Sequence, residues 1–107
     1  MSLMKRYELN PVLAKDENVF FERKTVFNPG VIYDGELFRM LYTAGSGHGE
    51  LSLGYAESRD GIHFTKNPEP FFTPDPNPEA FDHGTVDDPR VTYLDGKYYI
   101  VYAARSI

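Results

Sequence analysis

The sequence predicts an all-β fold made of antiparallel β-meander blades, and two observations support this prediction. Apolar residues come in short runs rich in Val, Ile, Tyr and Phe, separated by Gly, Pro, Asn and Asp, which is typical of strands and turns. No segment has the i, i+3, i+4, i+7 apolar spacing of an amphipathic helix. The 107 residues are enough for one small core or for part of a larger domain.

Four strands in meander order are predicted between residues 25 and 66. Their apolar runs are, in order, Val31–Tyr33, Leu37–Tyr42, Leu51–Ala56 and Ile62–Thr65. Asp34-Gly35 separates the first two runs and predicts a hairpin, because glycine readily adopts the positive φ that a tight turn requires. The connection over residues 67–84 contains five prolines, which lack the N–H that a strand ladder needs, so we expect a loop there.

The strand pattern begins again 60 residues later, where Asp88 corresponds to Asn28 and Tyr102 to Tyr42. A repeat of this length with four antiparallel strands has the size of a β-propeller blade with one long loop. We therefore predict about one and a half blades within a domain over residues 4–107. Blade 1 covers about 25–66, the loop 67–84, and the first half of blade 2 about 86–107. An ordinary β-sandwich with similar hairpins is the alternative fold.

Composition excludes several classes of function. The absence of cysteine excludes disulfides, thiol catalysis and cysteine-ligated zinc. A net charge of −5 without a Lys/Arg cluster argues against a nucleic-acid partner. The sequence shows neither a membrane-spanning run nor a signal-peptide pattern, so we expect a soluble, cytoplasmic protein with no membrane partner. Residues 1–3, ahead of Met4, are expected to be a cloning remnant.

The candidate site residues lie where the first strands of the two blades begin, because in a propeller these strands line the central channel. Asp87 and Asp88 are adjacent, and side chains alternate along a strand, so only one of them can face the channel. If that residue is Asp88, Arg90 shares its face. From spacing alone, an Asp88–Arg90 ion pair and a turn role for Asn28 before Pro29 are the simpler interpretations.

The three histidines match no metal-binding spacing; they are His48, His63 and His83. We therefore predict no metal site, and we predict no cofactor. His83 adjoins the aspartate-rich segment and could reach a ligand there. The glycine-rich segment Gly45–Gly49 joins two strands and does not open a helix, so no phosphate cradle at a helix N-terminus is predicted.

Four segments carry a resemblance to a known family when they are taken together and in order. They are Asn10–Leu13, Val26–Gly30, Gly54–Phe64 and Gly84–Arg90. This set resembles the N-terminal part of glycoside hydrolase family 130. The resemblance implies a five-bladed β-propeller that acts on β-mannosides, with an oligosaccharide as partner. Most members are inverting phosphorylases that use inorganic phosphate as co-substrate and yield mannose 1-phosphate, and some are hydrolases.

The same resemblance implies roles for individual residues. Asp88, in the Asp-Pro-Arg segment, matches the family's proton donor, which acts through a sugar hydroxyl. Asn28, in the Asn-Pro-Gly segment, matches an asparagine beside the mannosyl subsite. We expect Asp87, Arg90 and His83 to contribute to substrate binding.

Two positions depart from the family pattern. Asp87 stands where glutamate is frequent, and Thr43 stands where a sugar-contacting arginine is frequent. The family's phosphate-binding residues, or the glutamates that its hydrolases use, come from later blades, so we expect no catalysis by this chain alone. The alternative is a non-catalytic fragment that binds carbohydrate, or that forms a homo-oligomer through the open strand edges of an unfinished blade.

Overall fold

The computed structural model describes residues 3–106, and within this range the chain is almost entirely strand and loop. The strands are β1 (Thr25–Tyr33), β2 (Phe38–Gly45), β3 (Leu51–Ser58), β4 (Thr65–Lys66), β5 (Thr85–Leu94) and β6 (Lys97–Arg105), and a 3-10 helix covers Phe20–Glu22. The all-β prediction is confirmed. No helix in the described range has the length and apolar character needed to cross a membrane. The predicted cloning remnant falls mostly outside the described residues.

Strands β1 to β4 form an antiparallel meander in which each strand pairs with the next. Strands β5 and β6 form a second antiparallel hairpin. The two parts join where Leu51 of β3 pairs with Thr85 of β5 in parallel, so the sheet is mixed, with the order β1-β2-β3-β5-β6. Pairing within each part is antiparallel, as predicted, and the parallel pair lies between the two parts, because the loop over 67–84 returns the chain to the end of the sheet at which β3 begins.

The Asp34-Gly35 and Asp95-Gly96 pairs lie in hairpin turns. Asp95 and Gly96 have φ values of 52° and 78° and connect β5 to β6 as a two-residue turn. The β1–β2 connection is longer, with Gly35 at φ 97°. There the Asp34 carboxylate accepts the backbone N–H groups of Glu36 and Leu37, which replaces the missing ladder bonds.

The fourth strand is shorter than predicted and begins later. The sequence predicts it over Ile62–Thr65, whereas β4 covers Thr65–Lys66. The Ser58 hydroxyl and the Asp60 carboxylate accept the backbone N–H groups of residues 60–63. These groups are then unavailable for a ladder, and the segment forms a turn.

The proline-rich loop contributes to the sheet at one point. The backbone of Phe72 forms an isolated bridge with Leu53 of β3, and the N–H of Leu53 donates to the Phe72 carbonyl at 2.8 Å. The loop therefore protects the part of the β3 edge that the short β4 leaves open. Prolines on either side of this bridge do not interfere with its hydrogen bonds.

The core lies on one face of β2 and β3. Met40, Tyr42, Ala44 and Ala56 form it, and Leu13, Phe21, Val26 and Phe64 pack around them. The Tyr42 ring lies across Gly54, where a Cβ atom would approach the ring to 2.3 Å, so glycine is required at that position. Burial, together with a hydrogen bond to Glu22, raises the pKa of the Tyr42 hydroxyl far above its usual value.

Glu22 is a buried carboxylate that connects the N-terminal segment to the meander. It is 1% exposed and accepts the Tyr42 hydroxyl at 2.8 Å and the Asp16 backbone N–H at 2.8 Å. The Lys66 ammonium of β4 also donates to it, and this ammonium reaches the Ala14 carbonyl as well. Each carboxylate oxygen therefore has at least one donor, as a buried charge requires.

We predict that Glu22→Gln lowers the free energy of unfolding by about 1–3 kcal/mol, because it leaves the Lys66 ammonium without its counterion and disturbs a buried network. Urea denaturation measures the effect. Glu36→Gln is the matched control, since Glu36 is exposed and its side chain has no described partner, and it should change stability by less than about 0.5 kcal/mol. Equal stability of the two variants would contradict the prediction.

The β5–β6 hairpin covers one face of the meander. The face of this hairpin that points away from the meander is open. Leu41 of β2 is 3% exposed and lies across a cleft of about 380 Å³ from Val91 and Ile100 of the second hairpin. Val101, which occupies the position equivalent to Leu41 in the repeat, is 68% exposed. The same strand pattern is thus buried in the first copy and uncovered in the second.

Asp34 fixes the second hairpin to the β1–β2 turn. Its carboxylate accepts the Tyr98 hydroxyl from β6 and the Arg39 guanidinium at 2.6 Å. The guanidinium also lies 5.4 Å from the centre of the Tyr98 ring. The backbone N–H of Leu37, then Tyr98 and Arg39, hold the pKa of Asp34 well below its usual range.

A carboxyl group whose pKa is lowered by folding stabilises the fold at pH values above its pKa in the unfolded chain, which is about 3.9 for aspartate. This stabilisation is lost as the pH falls from that value toward the lower pKa of the folded state. We therefore predict that Asp34→Asn is less stable than the unsubstituted chain near neutral pH and that the difference narrows steadily below about pH 4. Urea denaturation across this pH range provides the measurement. Asp95→Asn, at the exposed β5–β6 turn, is the control. A difference independent of pH would show that the charge of Asp34 is not responsible.

Candidate functional site

The candidate site is built on two equivalent bulges, one in β1 and one in β5. The register of β1 against β2 shifts between Phe27 and Gly30, and that of β5 against β6 shifts between Asp87 and Arg90. Asn28 and Asp88 lie in these bulges with φ values of 46° and 54°. Asparagine and aspartate tolerate this left-handed region better than other non-glycine residues, which explains their presence here.

The bulges bring the two predicted residues together. The Asn28 side-chain amide donates to Asp88 Oδ1 at 2.8 Å. Asn28 is exposed and Asp88 is half-buried, so the pair lies at the surface of the junction between the two hairpins. Within residues 3–106, Asp88 Oδ2 has no hydrogen-bond partner. The amide therefore orients the carboxyl group and leaves one oxygen open to a ligand.

The Asn-Pro-Gly segment has a second structural role at this point. A Cβ atom on Gly30 would lie 2.4 Å from the carbonyl oxygen of Pro89, which is a backbone atom. Only glycine permits this approach without displacing β5. The glycine therefore brings the two bulges close enough for Asn28 to reach Asp88.

Thr43 is a site residue that sequence reasoning did not assign. Its hydroxyl accepts the backbone N–H of Asp88 at 3.0 Å, and the residue is fully buried in β2. The sequence contains one signal, because position 43 departs from the family pattern. Contact with Asp88, 45 residues away, is not visible without the register of the sheet.

Asp87 is placed apart from its neighbour. It is 3% exposed, accepts the Thr85 hydroxyl at 3.3 Å and lies 4.0 Å from the Arg105 guanidinium of β6. Of the two adjacent aspartates, Asp88 contacts Asn28 and Asp87 does not. The partners of Asp87 lie on β5 and β6, and none of them belongs to the Asn28–Asp88 pair.

Arg90 and His83 are not in contact with the Asn28–Asp88 pair. Arg90 is exposed, and the expected ion pair with Asp88 is absent from the described residues, because the bulge interrupts the strand alternation that would place both on one face. His83 Nδ1 lies 2.9 Å from the Asp75 carbonyl oxygen. A carbonyl can only accept, so this nitrogen carries a proton and the ring is tied to the proline-rich loop.

The arrangement supplies a single oriented carboxyl group at the junction. A carboxyl group can donate a proton to a leaving group or accept hydrogen bonds from sugar hydroxyls. In the part of the chain described by the structure, no group of three or more His, Asp or Glu side chains is placed to bind a metal ion. The site chemistry available from these residues is therefore that of one acid.

Comparison with known proteins decides the family. Residues 3–107 match the profile of glycoside hydrolase family 130, which is described as beta-1,4-mannooligosaccharide phosphorylase. The chain belongs to glycoside hydrolase family 130. The resemblance based on the four sequence segments is confirmed.

Two curated relatives come from Thermoanaerobacter sp. (strain X514). A beta-1,2-mannobiose phosphorylase is 33% identical over 95% of this chain and 37% of its own length. A 1,2-beta-oligomannan phosphorylase is 35% identical over 95% of this chain and 36% of its own length. The chain thus spans slightly more than a third of the length of these two relatives.

A solved structure of the same family agrees with the fold. It comes from work on family 130 mannoside phosphorylases and on glycoside hydrolases that target β-1,2 mannosidic linkages in Candida mannan. It superposes with a TM-score of 0.76 at 30% identity, over 94% of this chain and 34% of that one. The superposition covers nearly the whole chain, so the meander and the second hairpin are arranged as in this member of the family.

We predict that Gly30→Ala destabilises the chain by about 1–3 kcal/mol, because the added methyl group meets the Pro89 carbonyl and forces β1 and β5 apart. Gly45→Ala is the matched control, since its Cβ would meet the methyl groups of Leu51 and Thr25 at 3.1 Å and would stay 3.8 Å from the nearest backbone atom, the Glu50 carbonyl oxygen. Those side chains can shift, so the control should cost less. Urea denaturation of both variants tests this, and an equal cost would show that the close approach is not a constraint.

Proposed function

We propose that the chain is part of an inverting β-mannoside phosphorylase in which Asp88 is the general acid. The observation that supports this most directly is the 2.8 Å hydrogen bond from Asn28 to Asp88, which orients one carboxyl group at the junction of two blades. Two curated relatives named as mannoside phosphorylases support the substrate class. An oligosaccharide with a β-mannosidic bond is the proposed substrate, and inorganic phosphate is the proposed co-substrate.

The proposed reaction balances with a single protein acid. A phosphate oxygen attacks the anomeric carbon as the bond from that carbon to the leaving sugar oxygen breaks. The proton of Asp88 passes to the leaving oxygen, through a sugar hydroxyl, and the products are mannose 1-phosphate and a shortened sugar. A hydrolase would need a second carboxylate to activate water, whereas phosphate is itself the nucleophile.

The remaining predicted contacts stay part of the proposal. Asn28 would bind the mannosyl unit beside Asp88, and exposed Arg90 has guanidinium donors available for sugar hydroxyls or phosphate. Asp87 and His83 are proposed as further substrate contacts. We also propose a cytoplasmic location, which suits a chain that has no cysteine and needs no oxidising compartment.

Two alternatives are each favoured by one observation. A β-mannoside hydrolase is favoured by the solved family 130 structure, whose description includes hydrolases of β-1,2 mannosidic linkages. A self-associating fragment without catalysis is favoured by the open face of β6, where Val101 is 68% exposed. Light scattering, which measures the mass in solution, tests the second alternative, because a self-associating fragment must form an oligomer of fixed size.

The test is a chimera in which residues 3–107 replace the matched segment of the Thermoanaerobacter beta-1,2-mannobiose phosphorylase. We expect the chimera to release mannose 1-phosphate from β-1,2-mannobiose when phosphate is present. Asp88→Asn in the chimera should lower turnover by about 10²–10⁴-fold, the usual contribution of a general acid. The 107-residue chain assayed alone should show no turnover.

Asp95→Asn is the control for this experiment, because Asp95 is a turn residue at the opposite end of β5. Its chimera should match the unsubstituted chimera. Full turnover by the Asp88→Asn chimera would refute the proposed acid. Because the later blades of the chimera come from the phosphorylase, the chimera tests the acid at position 88 and not the choice between phosphate and water as nucleophile.

A further inference from the structure

Thr43 has a buried hydroxyl whose described hydrogen bond serves the candidate acid. The residue lies in the middle of β2, paired with Phe27 of β1 and Leu53 of β3, and none of its surface is exposed. Its Oγ1 accepts the Asp88 N–H at 3.0 Å. A side chain held between two strand neighbours has little freedom to move, so this acceptor is rigid.

The Asp88 N–H needs an acceptor outside the β5–β6 ladder. The register of β5 passes from Asp87, opposite Ala103, to Arg90, opposite Val101. Asp88 and Pro89 therefore share a single opposing residue, and a bulge leaves its extra residue unpaired. An N–H that is shielded from water and lacks an acceptor is destabilising, so the Thr43 hydroxyl stabilises this bulge.

Asp88 is consequently held from two directions by the first blade. Thr43 of β2 holds its main chain and Asn28 of β1 holds its carboxyl group. The two bonds act on different parts of the residue. The bond from Asn28 fixes only the carboxyl group, whereas the bond to Thr43 fixes the main chain that carries it, and together they set the direction of the remaining oxygen.

We propose that Thr43 is a positioning residue for Asp88, acting through the hydrogen bond from the Asp88 N–H to the Thr43 hydroxyl. The catalytic meaning of this position rests on the proposed function, whereas the anchoring does not. In this chain, Thr43→Val would remove the acceptor of the Asp88 N–H and weaken the Asn28–Asp88 contact. Serine would preserve both.

The experiment uses the isotope-labelled 107-residue chain and nuclear magnetic resonance. In Thr43→Val, which keeps a similar volume and removes the acceptor, the Asp88 amide should exchange with solvent about tenfold faster or more, as expected for one lost hydrogen bond. The Asn28 side-chain amide resonances should move toward their positions in Asp88→Ala, which defines the broken contact. Thr43→Ser should restore the original exchange rate and resonances.

Thr92→Val is the matched control, since Thr92 is an exposed threonine of β5 beyond the bulge. It should leave the Asp88 amide and the Asn28 side chain unchanged. Unchanged protection and resonances in a folded Thr43→Val variant would overturn the proposal. If that variant does not fold, rapid exchange of the Asp88 amide in the unsubstituted chain would overturn it equally. These measurements involve neither a mannoside nor an activity assay. A negative result therefore contradicts the positioning role of Thr43 alone, whereas an inactive chimera contradicts the proposed function.

Discussion

The contact between the bulges of β1 and β5 is the constraint on which the rest of the structure depends. Pairing between the meander and the second hairpin consists of one parallel pair, Leu51 with Thr85, which alone would not fix the angle between them. The approach of Pro89 to Gly30 and the hydrogen bond from Asn28 to Asp88 add that restraint. Docking of the hairpin and assembly of the candidate site are therefore the same event.

Polar groups at the other ends of the strands complete the arrangement. Asp34, Arg39 and Tyr98 join the turns of the two hairpins, and the Glu22 carboxylate joins the N-terminal segment to β2 and β4. Among the described residues, no buried side-chain nitrogen or oxygen lacks a hydrogen-bond partner. The charges that hold the segments together are thus paired, which is the condition under which buried charge is tolerated.

Much of the fold and the central pair of the site could be predicted from the sequence, because both depend on a repeat. The equivalence of Asn28 and Asp88 follows from the 60-residue offset, and the Asp-Gly turns follow from local backbone preferences. The turn over residues 60–63 could not be predicted from apolar periodicity, since side-chain acceptors replaced the ladder there. The bulge at Asp88 and the role of Thr43 depend on strand register, which a single sequence does not contain.

The separation of Asn28 and Asp88 along the chain has a consequence for the order of folding. Contacts within the meander join neighbouring strands and close short loops, whereas this hydrogen bond closes 60 residues at once. The entropic cost of closing this loop is offset only when the second hairpin docks and its contacts with the meander form. A newly made chain can therefore hold a formed meander before any site exists. Formation of the Asn28–Asp88 bond would then report the last step of assembly, and ligands that bind both residues would stabilise the docked arrangement selectively.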